Sequence, residues 1–351
     1  MTGPEARSIA GPRGGLADRR TERRRAVGIA LIVVSACAFG SGPLFAKPVY
    51  AAGVDWHVLS AWRFGLGALL AWSWLLASDA RRAGLRRLGR RATLVSIGLG
   101  VFYTGNSATY YAGLETVSAS LAALIVYIYP ALVAVVTWRF GQRLEGRRAW
   151  AALGLALLGV GLAVGGIPAG TAPPALGLAL MIASPVIYTG WIVLSARFAG
   201  ERPAEDRVDG PATPVLEASA PGTDAAVVTA VMIGATATTY WVSALALGRE
   251  VLPAAIPATA WPGLIGVGVV ATFVAIQTFY AGTRRIGAAQ AALVSTVEPI
   301  WTIALASVLF GERLGSVQLL GGALIIGGVV LAQTGPSALG RPRAAVRLPD
   351  E

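Results

Sequence analysis

Long apolar runs alternate with short polar segments along the whole chain. Each run has roughly 20 residues, which is the length that a helix needs to cross a bilayer. Ten such runs span residues 26–46, 58–77, 93–113, 117–138, 149–167, 175–196, 225–247, 262–282, 286–310 and 317–334. Because most links between the runs are short, we expect consecutive helices to lie antiparallel. The pattern predicts an all-α integral membrane protein with ten transmembrane helices.

The arginine-rich polar segments all fall on one side of this ten-helix layout, and the other side keeps only Lys47, Arg63, Arg249 and Arg313. The arginine clusters lie in the N-terminal tail, in the links after the second, fourth and eighth runs, and in the C-terminal tail. Short loops that carry many positive residues lie on the cytoplasmic side of a membrane. We therefore expect both termini to be cytoplasmic, in a bacterial plasma membrane. Nine or eleven helices would break the asymmetry, so the arginines favour ten.

The second half of the chain repeats the first. The segment TFYAGTRRIGAAQAALVSTVEPIWTIALASVLFGERL at 278–314 corresponds to TYYAGLETVSASLAALIVYIYPALVAVVTWRFGQRL at 109–144. AVGIALIVVS at 26–35 corresponds in the same way to ALGLALMIAS at 175–184. Because each half holds five runs, an odd number, the second half should be inverted relative to the first. Inverted repeats of this kind are typical of secondary transporters, with a substrate site near the bilayer midplane.

These observations divide the chain into two repeats and four polar segments. We expect a first five-helix repeat over 26–167, an uncharged external linker at 168–174, and a second repeat over 175–334. Residues 1–25 and 335–351 should be cytoplasmic tails, the first of them disordered. The Pro-, Ala- and acid-rich stretch 199–224 should be a disordered cytoplasmic loop, for which we predict no part in transport. The first tail has no apolar core and does not match a cleavable signal peptide.

Composition supports a membrane protein. The chain is 55% hydrophobic, with a mean hydropathy of +0.64, which is more apolar than soluble domains. Its net charge of +11 comes from arginines between the apolar runs. They do not form one basic face, so nucleic-acid binding is not indicated. Cys37 is the one cysteine and excludes an intrachain disulfide.

The motifs of common enzymes and ATP-driven pumps are missing from the sequence. The only lysine, Lys47, follows Ala46, so there is no Walker A loop, and a single histidine, His57, excludes a HExxH zinc site. There is no G-x-S-x-G nucleophile elbow and no aspartate within an apolar run. We therefore expect no enzymatic activity, no cofactor and no metal.

Glu298 is a carboxylate inside an apolar run. It lies roughly 18 Å along the ninth helix, near the midplane. A charge at this depth costs several kcal/mol unless it faces the protein interior or a cavity. Glu298 is thus a candidate for proton coupling or substrate contact, with a buried structural carboxylate as the alternative. Pro299 follows it, and Pro130 occupies the same position in the first half, so both helices should kink and free a backbone carbonyl there.

Polar and aromatic side chains at similar depth are candidates for a substrate cavity. They are Phe39, Tyr103, Asn106, Tyr110, Tyr127, Tyr188, Trp191, Gln277 and Trp301. For any single aromatic residue, packing between helices is the alternative role. Lys47 and Arg63, near the outer ends of the first two runs, are candidates for a vestibule that attracts an anionic group. Extension of both side chains to the membrane surface is the alternative.

Two segments resemble the EamA family of the drug/metabolite transporter superfamily. SASLAALIVYIYPALVAVVTWRFGQRL at 118–144 and GAAQAALVSTVEPIWTIALASVLFGERL at 287–314 carry the Ala-Ala-Leu run, the mid-helix proline and the Gly-Glu-Arg-Leu turn. The resemblance extends over nearly all of 26–334. It implies two inverted five-helix repeats, alternating access around a central cavity, and export of amino acids, other small metabolites or drug-like compounds. Two departures are Gln142, in place of the acidic residue of the first turn, and the long loop after the sixth run.

We therefore expect a secondary active transporter that moves a small metabolite, an amino acid or a similar compound, out of the cell. Proton coupling through Glu298 is a hypothesis, and exchange without proton coupling is its alternative. Two other functions stay open: export of multidrug or lipid-like substrates, and a non-transporting membrane scaffold or sensor. The expected partners are the small-molecule substrate, the lipid bilayer and protons, with a monomer and a homodimer both compatible.

Overall fold

A computed structural model of the chain describes residues 13–139, 146–167, 170, 172–198 and 225–333. Helices make up most of these residues, and the described ranges contain no strand. The predicted all-α class is therefore confirmed. The predicted loop 199–224 and tail 335–351 lie outside the described residues, as does part of the predicted linker 168–174.

The first half of the chain forms eight helical segments. They are α1 (Arg13–Gly40), α2 (Gly42–Ala51), α3 (Trp56–Leu76), α4 (Asp79–Arg87), α5 (Arg90–Thr116), α6 (Ala119–Val126), α7 (Tyr129–Arg139) and α8 (Gly146–Gly165).

The second half forms α9 (Ala175–Phe198), α10 (Ala225–Ala246), α11 (Trp261–Ile265), a π-helical stretch (Gly266–Val274), α12 (Ala275–Ile286), α13 (Ala288–Val294), α14 (Val297–Phe310) and α15 (Ser316–Gln333). Two short 3₁₀ turns, Pro253–Ala255 and Ala258–Ala260, precede α11.

Six helical segments of the described chain are long and apolar enough to cross a membrane. They are Glu22–Ala51, Trp56–Leu76, Ala175–Ser195, Ala226–Ala246, Ala258–Ile286 and Gln290–Phe310. Three shorter apolar helices are Ala119–Val133, Trp150–Gly165 and Ser316–Ala332. Helix α5 has the length to cross as well, with 27 residues, but its polar and tyrosine residues lower its hydropathy.

The first helix begins earlier than the sequence predicts. The tail was expected to lack structure through residue 25, whereas α1 starts at Arg13. Six of the 13 residues from Arg13 to Arg25 are arginines, which are good helix formers, so the membrane helix extends backward through this segment.

Both predicted kinks occur as breaks between two helices. The 117–138 run divides into α6 and α7 just before Pro130, and the 286–310 run divides into α13 and α14 just before Pro299. Proline has no N–H to donate, so the carbonyl four residues earlier loses its helical partner. For Pro299 this carbonyl belongs to Ser295, and it accepts instead from Glu298 N at 2.9 Å and from the Tyr127 hydroxyl at 2.5 Å.

Two helix pairs approach closely at glycines. α1 packs on α12 at Gly28 and Gly282, and α5 packs on α9 at Gly113 and Gly177. A Cβ on Gly282 would lie 2.7 Å from Ile32, and a Cβ on Gly113 would lie 2.9 Å from the Gly177 carbonyl oxygen. Neither distance leaves room for a side chain. In the sequence repeat Gly28 corresponds to Gly177, and Gly113 corresponds to Gly282. The α1–α12 contact therefore has its counterpart in the α5–α9 contact.

The contact between α3 and α10 is reciprocal. A Cβ on Gly65 would lie 2.8 Å from Trp241 Nε1, and a Cβ on Gly234 would lie 2.9 Å from Trp72 Nε1. Each helix places a glycine seven residues before a tryptophan, and each tryptophan covers the glycine of the other helix. The two helices therefore present the same pattern to one another in opposite directions.

Candidate functional site

A cavity of about 270 Å³ lies between the two halves of the chain. Its wall contains residues of α1, α3, α5, α6 and α7 from the first half, and of α9, α10, α12, α13 and α14 from the second. The volume suits a small metabolite. The broken helices α6–α7 and α13–α14 both border the cavity, so irregular backbone lies where it lines an internal space.

Aromatic rings form one side of the cavity. The centroids of Tyr103 and Trp191 are 5.2 Å apart, those of Tyr129 and Tyr188 are 4.9 Å apart, and Tyr188 stacks on Trp191 with an angle of 10° between the planes. The Trp191 indole donates to the Leu99 carbonyl at 3.0 Å, which fixes the ring. This cluster offers a rigid apolar surface with hydroxyl groups at its edge.

Arg63 supplies the positive charge of the cavity wall. Its side chain is only 8% exposed. Nε donates to Thr272 Oγ1 at 2.8 Å, and the guanidinium lies 4.6 Å from the ring centroid of Tyr111 and 4.8 Å from that of Phe64. Within the described part of the chain, no carboxylate forms an ion pair with it. Aromatic faces stabilise the cation while leaving its N–H groups able to bind an anion.

Glu298 supplies the negative charge. It is half-buried at the first turn of α14, and its carboxylate has no hydrogen bond or ion pair among the described residues. The N-terminal end of a helix favours a negative charge. Among the residues that the structure describes, Arg63 and Glu298 are the only charged ones that line the cavity. The site therefore offers one cationic group and one anionic group to a ligand.

Comparison with known proteins identifies the family. The model of the EamA-like transporter family matches residues 26–165 and 218–334. The chain belongs to the EamA-like transporter family. This family is part of the drug/metabolite transporter superfamily, as the sequence predicts. Together with the apolar helices, membership supports a multi-pass membrane protein of transporter type.

Relatives cover most of this EamA-family chain. "Uncharacterized transporter YcbK" of Bacillus subtilis is 25% identical over 314 residues, which are 89% of this chain and 93% of that protein. An "uncharacterized transporter" of Archaeoglobus fulgidus is 27% identical over 307 residues, 87% of this chain and 96% of that protein. A solved structure described only as "Crystal structure of protein" aligns with a TM-score of 0.59 at 20% identity, covering 88% of this chain and 96% of that one. This last similarity concerns the fold alone.

Most of the residues predicted from the sequence meet in the cavity of this EamA protein. Its wall contains Phe39, Tyr103, Asn106, Tyr110, Tyr127, Tyr188, Trp191, Glu298 and Pro299. Asn106 is buried, and its Oδ1 accepts from Ser184 Oγ at 2.9 Å. Arg63 was predicted at an outer vestibule but lines the cavity, because it lies two turns inside α3, which begins at Trp56.

Four predicted residues lie outside the cavity wall. Lys47 donates to the carbonyls of Leu114 and Val117, both at 2.7 Å. The Trp301 indole donates to Ser41 Oγ at 3.0 Å, at the break between α1 and α2. Gln277 and Pro130 are half-buried and do not line the cavity.

The π-helical stretch explains the position of Gln277. It precedes α12, whose cavity-lining residues are Ile276, Phe279 and Tyr280. Extra residues in π turns rotate every later side chain relative to regular α spacing. The sequence predicts how deep Gln277 lies in the membrane, but it does not predict the direction in which its side chain points after the π-helical stretch. Thr272, which holds Arg63, lies within the π-helical stretch and was missed for the same reason.

Proposed function

We propose that this EamA-family protein is a secondary active transporter for a small zwitterionic metabolite, an amino acid or a similar compound. The observation that carries the proposal is the cavity in which both Arg63 and Glu298 line the wall beside an aromatic cluster. A guanidinium binds a carboxylate with two parallel hydrogen bonds, and Glu298 can accept hydrogen bonds from an ammonium group. The Tyr103, Tyr188 and Trp191 rings would hold the apolar part of the substrate.

The proposed mechanism is alternating access by ten membrane helices in two inverted five-helix repeats. The matching glycine pairs of α1–α12 and α5–α9, and the reciprocal contact of α3 with α10, support this arrangement. In the sequence repeat α1 corresponds to α9 and α5 to α12, so the α1–α12 contact corresponds to the α9–α5 contact, and α3 and α10 are the second helices of the two halves. Rocking of one repeat against the other would expose the cavity first to one side and then to the other.

The proposed setting is a bacterial plasma membrane, with both termini in the cytoplasm and transport directed outward. The arginine-rich links support the orientation. The proposal includes no enzymatic step, since the charged groups of the cavity suit reversible binding.

A ligand screen followed by transport tests the proposal. The purified protein would be screened by thermal shift against amino acids, nucleosides, sugars and polyamines. We expect zwitterionic amino acids to raise the melting temperature, and decarboxylated or N-acetylated versions of the best ligand to lose the effect. The radiolabelled ligand should then accumulate in proteoliposomes that contain the protein and not in empty liposomes. Sugars or nucleosides as the only stabilising ligands would overturn the zwitterion assignment.

A multidrug exporter is the second candidate, and the aromatic cluster favours it. Stacked tyrosine and tryptophan faces bind flat organic cations, with Glu298 as the counter-charge. Arg63 argues against this candidate, because its charge would repel a cation. A rise in melting temperature with aromatic cations that lack a carboxylate, and no rise with amino acids, would favour the multidrug exporter.

A further inference from the structure

Helix α4 has one apolar side and one basic side. Leu85, on α4, and Leu88, which follows it, pack on a buried cluster from α3 and α10 that consists of Ala71, Leu75, Val227 and Ala230. This contact holds α4 across the ends of the two membrane helices. The segment is therefore a short amphipathic helix fixed at the end of the helix bundle.

The opposite side of this segment carries an excess of positive charge. Residues 78–92 contain six arginines and a single acidic residue, Asp79. Asp79 pairs with Arg82 at 2.5 Å, and Arg81 donates to the Trp74 carbonyl at 2.8 Å with its guanidinium over the Trp74 ring. The other four arginines are exposed and have no acidic partner in the described part of the chain: Arg86, Arg87, Arg90 and Arg91.

An apolar groove runs between α3 and α10. Its floor is formed by Gly65 and Gly234, and its walls include Leu69, Val242 and Leu245, each more than 60% exposed. Trp72 connects the two features, because it lines the groove and also packs on the cluster that holds α4. A groove of this composition suits a hydrocarbon chain and offers little to a water-soluble anion.

We propose that α4 and the first turn of α5 bind an anionic phospholipid. The four exposed arginines would contact the phosphate headgroup, and the groove between α3 and α10 would take an acyl chain. Juxtamembrane arginines attract anionic headgroups, and each contributes about fivefold to binding affinity. The apolar groove favours a lipid over free phosphate as the source of the anionic group.

The test measures lipid binding to the purified full-length protein in detergent. Dioleoyl-phosphatidylglycerol should raise the melting temperature, and dioleoyl-phosphatidylcholine at the same concentration should not. Added salt should weaken the difference, since these charges are exposed. Equal shifts with both lipids would overturn the proposal. A shift of the same size with inorganic phosphate would overturn the assignment to a lipid.

Two matched variants locate the effect. R86Q/R87Q/R90Q/R91Q should lose the phosphatidylglycerol shift, whereas R86K/R87K/R90K/R91K, with its charge unchanged, should retain most of it. If the glutamine variant does not fold, R86Q/R87Q and R90Q/R91Q replace it. Each pair should then weaken affinity for phosphatidylglycerol by about 25-fold, from two contributions of about fivefold. If a glutamine variant keeps the full melting-temperature shift with phosphatidylglycerol, the lipid binds at another site and the proposal is overturned.

Discussion

At the scale of single residues, Arg63 combines features that favour binding over stability. It is buried, its guanidinium lies over two aromatic rings, and within the described chain it has no ion-pair partner. A buried charge without a counter-charge costs free energy in the empty protein. Thr272 does not depend on Arg63, because its hydroxyl also donates to the Val267 carbonyl at 2.9 Å. These features support the proposed role of Arg63 in binding the substrate.

Arg63→Gln should separate stability from binding. We expect the melting temperature of the ligand-free protein to stay the same or rise, because the substitution removes a buried, unpaired charge. The thermal shift caused by the best amino acid should disappear, since a charge-assisted bidentate contact of about 2–3 kcal/mol is lost. Thermal-shift titrations of both proteins measure the two effects.

The matched control for this substitution is Arg249→Gln. Arg249 pairs with Asp55 at 3.1 Å, outside the cavity wall, and about half of its side chain is exposed. This variant should keep the ligand-induced shift. A ligand-free Arg63→Gln protein that melts well below the wild type, with an intact ligand shift, would assign Arg63 a structural role.

At the scale of helices, the close contacts depend on glycine at particular positions. A Cβ on Gly113 would lie 2.9 Å from the Gly177 carbonyl oxygen and 3.0 Å from the Met181 backbone nitrogen. Both atoms belong to the backbone of α9 and cannot move without shifting the helix. At Gly282 the nearest atoms belong to the buried side chain of Ile32, at 2.7 Å, and the Gly28 carbonyl oxygen follows at 3.0 Å. A change of one side-chain rotamer costs less than a shift of a helix backbone. The two positions correspond in the repeat but differ in their tolerance.

Gly113→Ala should therefore destabilise the protein more than Gly282→Ala does. We expect a cost of about 1–3 kcal/mol at Gly113, typical of overpacking, and a smaller one at Gly282. Gly98→Ala is the control in the same helix, because no atom lies within 4 Å of its Cβ position, and alanine favours the helix. Thermal unfolding in one detergent measures all three. Equal melting temperatures for Gly113→Ala and Gly98→Ala would contradict the close contact.

Much of the helix layout could be predicted from the sequence, because it depends on local signals. Length and hydropathy locate the membrane helices. Pro130 and Pro299 mark the two breaks, because a proline removes a helical hydrogen bond whatever its surroundings. The depth of a residue along its helix predicted that Tyr103, Asn106, Tyr188 and other residues would line one cavity, and they do. The family was also correct, because its motifs recur in both halves.

Rotation about a helix axis could not be predicted in the same way. Gln277 follows the π-helical stretch, and its direction depends on turns that sequence spacing does not show. Arg63 lies near the outer end of the second run, which predicts an outer vestibule, whereas Thr272 and two aromatic rings hold it in the cavity wall. Helix α4 lies in a stretch that hydropathy predicts as a link between membrane helices. The three-residue spacing of Leu85 and Leu88 is a signal of a short amphipathic helix there.

At the scale of the whole molecule, the proposed transport cycle needs a group that couples substrate release to a driving force. Glu298 is the only carboxylate of the described ranges that lines the cavity, and its position corresponds to Tyr129 in the first half of the sequence. The ammonium group of the substrate and a proton would compete for it. Protonation would then release the substrate on the outer side, and deprotonation would prepare the inner side for the next molecule.

Glu298→Gln should remove the response to a pH gradient. Glutamine resembles the protonated carboxyl but cannot exchange its proton, so transport should be equal with and without an imposed gradient, whereas the wild type should respond. Flux in proteoliposomes, expressed as the ratio of the two conditions, measures this. Glu250→Gln is the control, because Glu250 is exposed and lies outside the cavity wall, and it should respond like the wild type. A Glu298→Gln protein that still responds fully to the gradient would exclude Glu298 as the coupling group. A wild type that does not respond would leave exchange without proton coupling as the mechanism.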